Sequence, residues 1–289
     1  MTGSPTAPPP TALVLGGTGR TGSLVARRLT ERGTAARTAA RHGADVRFDW
    51  DAPATHPTAL AGVDRLYLVT PVLRTSYTDQ VAAFLDLAVA AGVRHVTYLS
   101  TYGGRQAPPD VDIRAVEDDL AARDTVTRTM LRPAWVMQNF SDAHLPVVDG
   151  VITVPTGGGA EAFVDAADIA AVAVETLLAS EAHAGAEYAP TGPRALTVAE
   201  VADAIAAVTG HPVTHRDVDP EAWIGGAVAA GLVPADYAVM LRWLTGTIAS
   251  GNGSTPNADI EKVTGRPPAT FQDFARRNAG AWAAAPAVK

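Results

Sequence analysis

The run Gly16-Gly17-Thr18-Gly19-Arg20-Thr21-Gly22 constrains this chain more than any other stretch of its 289 residues. It follows a short apolar segment, Thr11–Leu15. It opens a second segment, Ser23–Arg32, in which Leu24, Val25 and Leu29 recur at helical spacing with charges opposite. A short apolar run that ends in glycines reads as a buried parallel strand, and the periodic segment as an amphipathic helix. Glycines at 16, 19 and 22 form G-x-x-G-x-x-G between them. One glycine permits a tight turn, another lets backbone approach a pyrophosphate without a Cβ, and the last lets the helix pack close to the strand. The helix start then offers free N–H groups and the positive end of its dipole to phosphate. The strand and helix context makes the motif specific; the alternative is a structural turn that has lost its ligand.

The same alternation continues along the chain. Strands are expected at Thr34–Ala40, Ala44–Phe48, Asp64–Thr70 (cut off by Pro71), Arg94–Ser100 and Thr125–Leu131 (stopped by Pro133). Helices are expected at Tyr77–Ala91 and Asp112–Arg123. Strands alternating with helices predict an α/β fold, a doubly wound parallel Rossmann sheet with right-handed crossovers. After Pro133 the rhythm changes to short elements, Gly-rich turns and helices at Ala166–Ala179, Thr197–Thr209, Pro220–Ala230 and Pro234–Ala249. Thr197 and Glu200 have the spacing of a capping box. The expected organisation is a disordered leader at 1–10 and a dinucleotide-binding domain at 11–135, to which 160–180 return. A smaller, mostly helical substrate-binding region at 136–289 is expected over the carboxyl ends of the strands.

Composition narrows the function classes. Hydrophobic residues are 47% and charged residues 18% of the chain, enough for a buried core. The net charge of −7 argues against nucleic acid, which calls for a basic footprint. No cysteine is present, which excludes disulfides, thiolate catalysis and Cys-ligated metal. The apolar stretch Val81–Val93 is broken by Asp86 and is too short to span a bilayer. Met1–Pro10 lacks the basic start and apolar core of a signal peptide, so the expected compartment is the cytoplasm.

The choice between dinucleotides falls to the end of the second strand. An acid about 20 residues beyond the glycines would bind a ribose 2′-hydroxyl, and none stands there. Arg37 and Arg41 lie on or after that strand, and Arg20 in the loop. A guanidinium grips phosphate by two parallel bonds, which favours the 2′-phosphate of NADP(H). Each arginine has the alternative of a merely solvated side chain. Asp49 follows the third strand and, with Trp50 beside it, is a cofactor-site candidate; its carboxylate meets an adenine edge or simply lies in a solvated turn.

Seven stretches give the chain a family resemblance: LVLGGTGRTGS (Leu13–Ser23), VRFDW (Val46–Trp50), LYLVTP (Leu66–Pro71), LRPAWVMQNF (Leu131–Phe140), AFVDAADIAAVA (Ala162–Ala173), GLVPADYAVML (Gly231–Leu241) and VTGRPPATFQDFA (Val263–Ala275). By these it resembles the NmrA-like, atypical short-chain dehydrogenase/reductase group, and within it the ergot-alkaloid-biosynthesis reductases that include agroclavine dehydrogenase-like proteins. The resemblance covers about residues 11–280. It implies an NADP(H)-binding fold and, in the ergot branch, reduction of a cyclic iminium. The wider group includes quinone reductases and redox sensors without catalysis.

Ordinary short-chain dehydrogenases pair Tyr with Lys four residues on, so that lysine lowers the tyrosine pKa. Here Gln106 follows Tyr102 at that spacing, and Tyr98, Tyr188 and Tyr237 have no such lysine either; lysine occurs only at 262 and 289. The wider group often sets a basic residue before the glutamate of the helix. Aligning that glutamate with Glu117 puts Ile113 there. Reduction of an iminium needs no proton donor, because the nitrogen already carries the charge and hydride delivery suffices. The missing pair suits that reaction and suits a non-catalytic binder equally.

Topology places ligands at the strand carboxyl ends. Thr70, Pro71, Val72, Ser100, Thr101, Tyr102 and Pro133–Val136 are therefore expected around the nicotinamide, with Tyr102 the leading polar contact to substrate. Trp135, Met137 and Phe140 line the substrate pocket or belong to the core. Trp223, Tyr237 and Met240 supply a lid over a small organic molecule, or an oligomer interface. Asp165 and Asp168 form a carboxylate pair or, preferably, the cap and first-turn acid of the following helix. His211 and His215 are separated by Pro212, and no metal is expected. Three functions remain open: an NADPH-dependent reductase of imines, iminiums or conjugated carbonyls in secondary metabolism, an NADP(H) sensor, and a cofactor-retaining enzyme of a cyclisation or isomerisation.

Overall fold

In the computed structural model, residues 11–142 and 144–282 are described; the leader expected at 1–10 lies outside the described residues. The first half runs β1 (Thr11–Leu15), α1 (Gly22–Glu31), β2 (Ala35–Ala40), β3 (Val46–Arg47), α2 (His56–Leu60), β4 (Arg65–Leu68), α3 (Thr78–Ala90), β5 (His95–Leu99), α4 (Asp112–Ala122) and β6 (Thr127–Leu131). The second half runs β7 (Val151–Thr153), β8 (Ala160–Glu161), α5 (Ala166–Leu178), β9 (Glu187–Tyr188), β10 (Leu196–Thr197), α6 (Val198–Thr209), β11 (Thr214–Arg216), α7 (Pro220–Ala229), α8 (Ala238–Ala249), α9 (Asp259–Thr264) and α10 (Phe271–Arg277).

Seven strands form one parallel sheet in the order β3-β2-β1-β4-β5-β6-β9. The order reverses between β1 and β4, which is where a doubly wound sheet opens a crevice at its carboxyl edge. Buried on both faces, β1 and β4 read as near-continuous apolar runs (Ala12–Leu15, Leu66–Leu68). One face packs Leu13, Leu15, Leu66, Leu68, Val96 and Tyr98 against α3 and α4. The other packs Ala12, Val14, Tyr67 and Leu131 against α1, α5 and α9. A third core lies in the appended layer, where Ile152, Val154, Phe163 and Leu196 meet α6 and α10.

Local chemistry explains the helix starts. Asp165 accepts from the Ala167 N–H at 2.8 Å and caps α5. Thr197 and Glu200 complete a reciprocal capping box on α6. The third strand, expected over Ala44–Phe48, is a two-residue edge strand, because Thr38 and Asp45 close a side-chain turn before it begins. Strand β9 and helices α9 and α10 are additional to the expected elements. Each is seven residues or shorter, too brief to show a period. Among the described residues no helix is long and apolar enough to cross a membrane.

Candidate cofactor and substrate site

The glycine loop joins β1 to α1 at the sheet reversal. Gly16 takes φ +62°, and its carbonyl accepts from the Gly19 N–H at 2.8 Å. A Cβ on Gly22 would stand 2.2 Å from that same carbonyl, and one on Gly17 would stand 2.6 Å from the Thr38 Cβ. Both positions therefore exclude a side chain. Beneath the loop, the buried Tyr67 hydroxyl donates to Thr21 Oγ1 at 3.0 Å. Burial pushes the Tyr67 phenol well above its ordinary range, so the donor proton stays. Thr18 and Gly19 are exposed, and the N–H groups of Thr18, Arg20, Thr21 and Gly22 have no partner among the described residues. Four unpaired donors at a helix start form a seat for an anion.

The three arginines separate cleanly. Arg41 is exposed, with no side-chain hydrogen bond or ion pair among the described residues, and lies in the turn after β2. Gly43 of that turn reaches the loop: its Cβ would be 3.7 Å from Thr18 Cγ2. Arg37 departs from the expectation. Side chains alternate faces along a strand, and Arg37 falls on the side of α2, where it donates to the carbonyls of Ala59 (2.9 Å) and Ala61 (2.6 Å). Arg20 departs too. Its guanidinium bridges to Asn139 Oδ1 at 2.8 Å and pairs with Asp142, which leaves only its N–H toward the loop.

Asp49 and Trp50 serve the turn after β3 rather than an open pocket. The Asp49 carboxylate accepts from the Asp51 N–H at 3.1 Å, and its carbonyl meets His56 Nε2 at 3.0 Å. The Trp50 indole packs edge-on against Phe48 and Phe84 in the core.

The loop after β4 carries Thr70 half-buried, Pro71 buried and Val72 75% exposed at the rim. Leu73 holds φ +57°, unusual for a branched residue. Asp112, at the start of α4, accepts from the N–H groups of Tyr77 and Thr78, both at 2.7 Å, and so sets the start of α3. Burial pushes the Tyr77 phenol up to about 12 and the Tyr98 phenol well above its ordinary range, with Thr70 beside both. The Tyr98 hydroxyl is buried without a partner among the described residues.

The loop after β5 holds the main surprise. Ser100 turns inward and donates to Glu117 Oε1 at 2.5 Å. Arg132 forks onto both oxygens of Glu117, each at 2.8 Å, and gives a third bond to Glu187 at 2.7 Å. Burial pulls the Arg132 guanidinium down, but its bonds to Glu117 and Glu187 outweigh that and raise it above its ordinary range. The Ser100 hydroxyl is thereby withdrawn from the ligand side, against expectation. Glu117 and Arg132 were not among the expected site residues. The available signal was a charge at 117 on the stripe of Val116 and Leu120, which faces the core.

Next along this loop, Thr101 and Tyr102 are half-buried. Tyr102 donates its N–H to the carbonyl of the buried Pro133 at 2.9 Å. Its hydroxyl accepts the Thr255 N–H at 3.2 Å. Gly103 (φ +77°) lies under the indole of Trp243, 3.4 Å from where its Cβ would be. Helix α8 thus crosses above the carboxyl end of β5. Thr75 donates to Asp236 Oδ2 at 3.0 Å and ties the loop after β4 to the same region. Tyr237 and Met240 are half-buried there, and burial raises the Tyr237 phenol.

The remaining lining candidates go elsewhere. Met137 and Phe140 are each 1% exposed in the third core, Phe140 stacking edge-on against Phe163 and Phe271. Neither has a face left for a ligand at the sheet edge. Trp135 joins the same core as a half-buried residue, and its carbonyl accepts the Val164 N–H at 2.9 Å. Trp223 anchors α7 by donating its indole N–H to the Thr153 carbonyl at 3.0 Å. Asp165 is a helix cap held by Gln138 and Arg277, and Asp168 accepts the Ala269 N–H at 2.7 Å.

This geometry has relatives. NAD(P)H azoreductase from Xenophilus azovorans is 32% identical over 290 residues, covering 94% of this chain and 99% of that protein. Festuclavine synthase II from Penicillium roqueforti (strain FM164) is 30% identical over 292 residues, covering 94% of this chain and 100% of that protein. The resemblance to the ergot-alkaloid reductases is borne out by such relatives. Among solved structures, an Escherichia coli NADPH-dependent quinone oxidoreductase complexed with NADPH matches the fold. Its TM-score is 0.73 over 92% of this chain and 99% of that chain, at 22% identity. The NmrA-like family matches residues 9–243, more than half of the chain. With the glycine loop, the sheet order and the helical cap in agreement, the chain belongs to the NmrA-like family.

Proposed function

We propose that this chain is an NADPH-dependent reductase that delivers hydride to a small organic acceptor: an imine or iminium, or a conjugated carbonyl such as a quinone or enone. One observation carries the reading. At the start of α1 four N–H groups have no partner among the described residues, the turn that carries Arg41, likewise unpartnered there, reaches the same loop through Gly43, and no acid stands at the end of β2. The pyrophosphate would be held by the N–H groups of Thr18, Arg20, Thr21 and Gly22, and the 2′-phosphate by Arg41. When bound, NADPH supplies a hydride from its reduced nicotinamide.

The protein's own part is orientation and exclusion of water. Thr70, Pro71, Val72 and Thr101 would border the bound ring, and Tyr237, Met240 and Trp243 would cover the substrate. An iminium nitrogen already carries its charge, so its reduction asks no proton of the chain. A quinone or enone oxygen does, and the Tyr102 hydroxyl is the donor in reach of that space. The names of the relatives, an azoreductase and a festuclavine synthase, support an acceptor of this class. A place in secondary metabolism belongs to the same proposal. The inward lock on Ser100 favours a second reading, an NADP(H) sensor that binds without turnover.

Fluorescence titration with NADPH, NADH and NADP⁺ tests the first step. Turnover of menadione, an azo dye and a cyclic iminium tests the second. Tight NADPH binding, weaker NADH binding and loss of NADPH absorbance with one acceptor class are expected. Binding without turnover would select the sensor. Product without NADPH loss would select a non-redox step. Failure to bind either reduced cofactor would end the reductase reading.

A further inference from the structure

Glu161 is 2% exposed, and no cation pairs with it among the described residues. A buried carboxylate without a cation must be held by donors. Three serve it: the Ser254 hydroxyl, the Ser254 N–H at 3.1 Å and the Trp135 N–H at 3.4 Å. Ser254 in turn accepts the Ala162 N–H at 2.9 Å. Thus a segment 93 residues distant in sequence is stitched to β8 by one side chain. The contact is close enough to dictate its neighbour. A Cβ on Gly253 would stand 2.3 Å from the Ala160 carbonyl and 2.8 Å from Glu161 Oε2.

The residue after Ser254 is the one that reaches the candidate site, through the Thr255 N–H on the Tyr102 hydroxyl oxygen. An N–H donated to that oxygen leaves the hydroxyl proton to be given elsewhere. On the other side Tyr102 is fixed by its own N–H on Pro133 and by Trp243 over Gly103. Trp135, two residues beyond Pro133, returns to Glu161. The carboxylate thus ties together both segments that hold Tyr102.

We propose that Glu161 is a positioning residue, which through Ser254 and Thr255 sets the Tyr102 hydroxyl so that its proton points at the substrate's acceptor atom. The inference rests on the reductase reading above. Burial raises the Glu161 carboxyl above its ordinary range, and the Ser254 and Trp135 donors offset that only in part.

E161Q tests it. An amide keeps one acceptor but turns a donor toward the Ser254 N–H, so the 252–256 segment should be pushed off Tyr102. Hydrogen exchange of that segment, measured by mass spectrometry, reads the clamp without any substrate. Exchange should quicken in E161Q and in S254A. With menadione as acceptor, kcat should fall about three- to tenfold, the worth of one oriented hydrogen bond, with KM for NADPH unchanged. In a Y102F background the same change should have no further effect. Equal losses with and without the Tyr102 hydroxyl would overturn the positioning role while leaving the reductase reading intact. Unaltered exchange in both variants would also overturn it. S254A keeps the test available if E161Q fails to fold. A wild-type protein with a protected 252–256 segment but no turnover of any acceptor would remove the reductase reading, and this role with it.

Discussion

The two walls of the candidate site are built on opposite plans. The proposed cofactor wall is backbone: seven consecutive residues, a missing Cβ at Gly17 and Gly22, and N–H groups at the start of α1 without partners among the described residues. The proposed substrate wall is assembled from side chains and distant segments. Tyr102, Pro133, Glu161, Trp243 and Thr255 meet there from five places in the chain. Backbone-made sites depend on conformation that a short motif can encode. Side-chain-made sites depend on the docking of elements far apart, and one substitution at a distance can unseat them.

The largest expected effect lies under the substrate wall. R132A would leave Glu117, 1% exposed, as an uncompensated charge. Loss of one partner from a buried pair costs about 3–5 kcal/mol. Urea unfolding should show this, and a joint replacement of Arg132 by Met and Glu117 by Leu should recover most of it. If R132A alone is neutral, the substrate wall does not hang on that pair.

Acid should strike both walls together, because His95 opens β5 inside the sheet they share. Burial, with Arg65 and His183 nearby, lowers His95 from 6.5 to about 4. The unfolded chain therefore binds the extra proton first as pH falls. Stability is full above pH 6.5 and is lost as pH drops through about 4, by about 3 kcal/mol in all. Melting temperature against pH should show that loss, and H95N should flatten this part of the curve. A wild-type profile already flat across that window would contradict the assignment.

Arg41 sharpens the contrast within the cofactor wall. R41A should weaken NADPH by about 1.5–3 kcal/mol, the range for a hydrogen bond to a charged group, and leave NADH unchanged. R37A removes two bonds to carbonyls of α2, so it should lower stability without altering that preference. Equal effects of R41A on both cofactors would show that the guanidinium does not read a 2′-phosphate.

Paired glycine substitutions compare the walls most directly. G22A and G253A each force a Cβ into a backbone carbonyl, at a cost of about 1–3 kcal/mol of overpacking. Calorimetry should find similar losses. Titration should separate them, with NADPH affinity lost in G22A and retained in G253A, whose defect should appear in kcat. If both lose affinity alike, the walls form one structural unit.

Legibility followed the same division. The glycine loop, the parallel sheet and the capping box at Thr197 could be read directly, because each is set by residues within one strand–turn–helix unit. Arg41 was legible as a candidate, but nothing separated it from Arg20 and Arg37. All three carry the same charge near the same strand, and only strand facing and the position of Asn139 and Asp142 divide them. Phe140 and Met137 look like pocket lining because apolar residues suit both a pocket and a core. Glu117 and Glu161 each left a trace: Glu117 stands on the buried stripe of Val116 and Leu120, and Glu161 within an otherwise buried stretch. Their partners did not, lying 15 and 93 residues away.

By itself the sequence determined the sheet, the phosphate cradle and the family, since hydrophobic period, turn chemistry and missing Cβ atoms act over a few residues. Only the tertiary structure decided which of the three arginines stands free among the described residues, which hydroxyl is locked inward and what holds Tyr102. Those outcomes depend on which distant groups docking brings within hydrogen-bond reach, and a buried charge can be satisfied from any part of the chain.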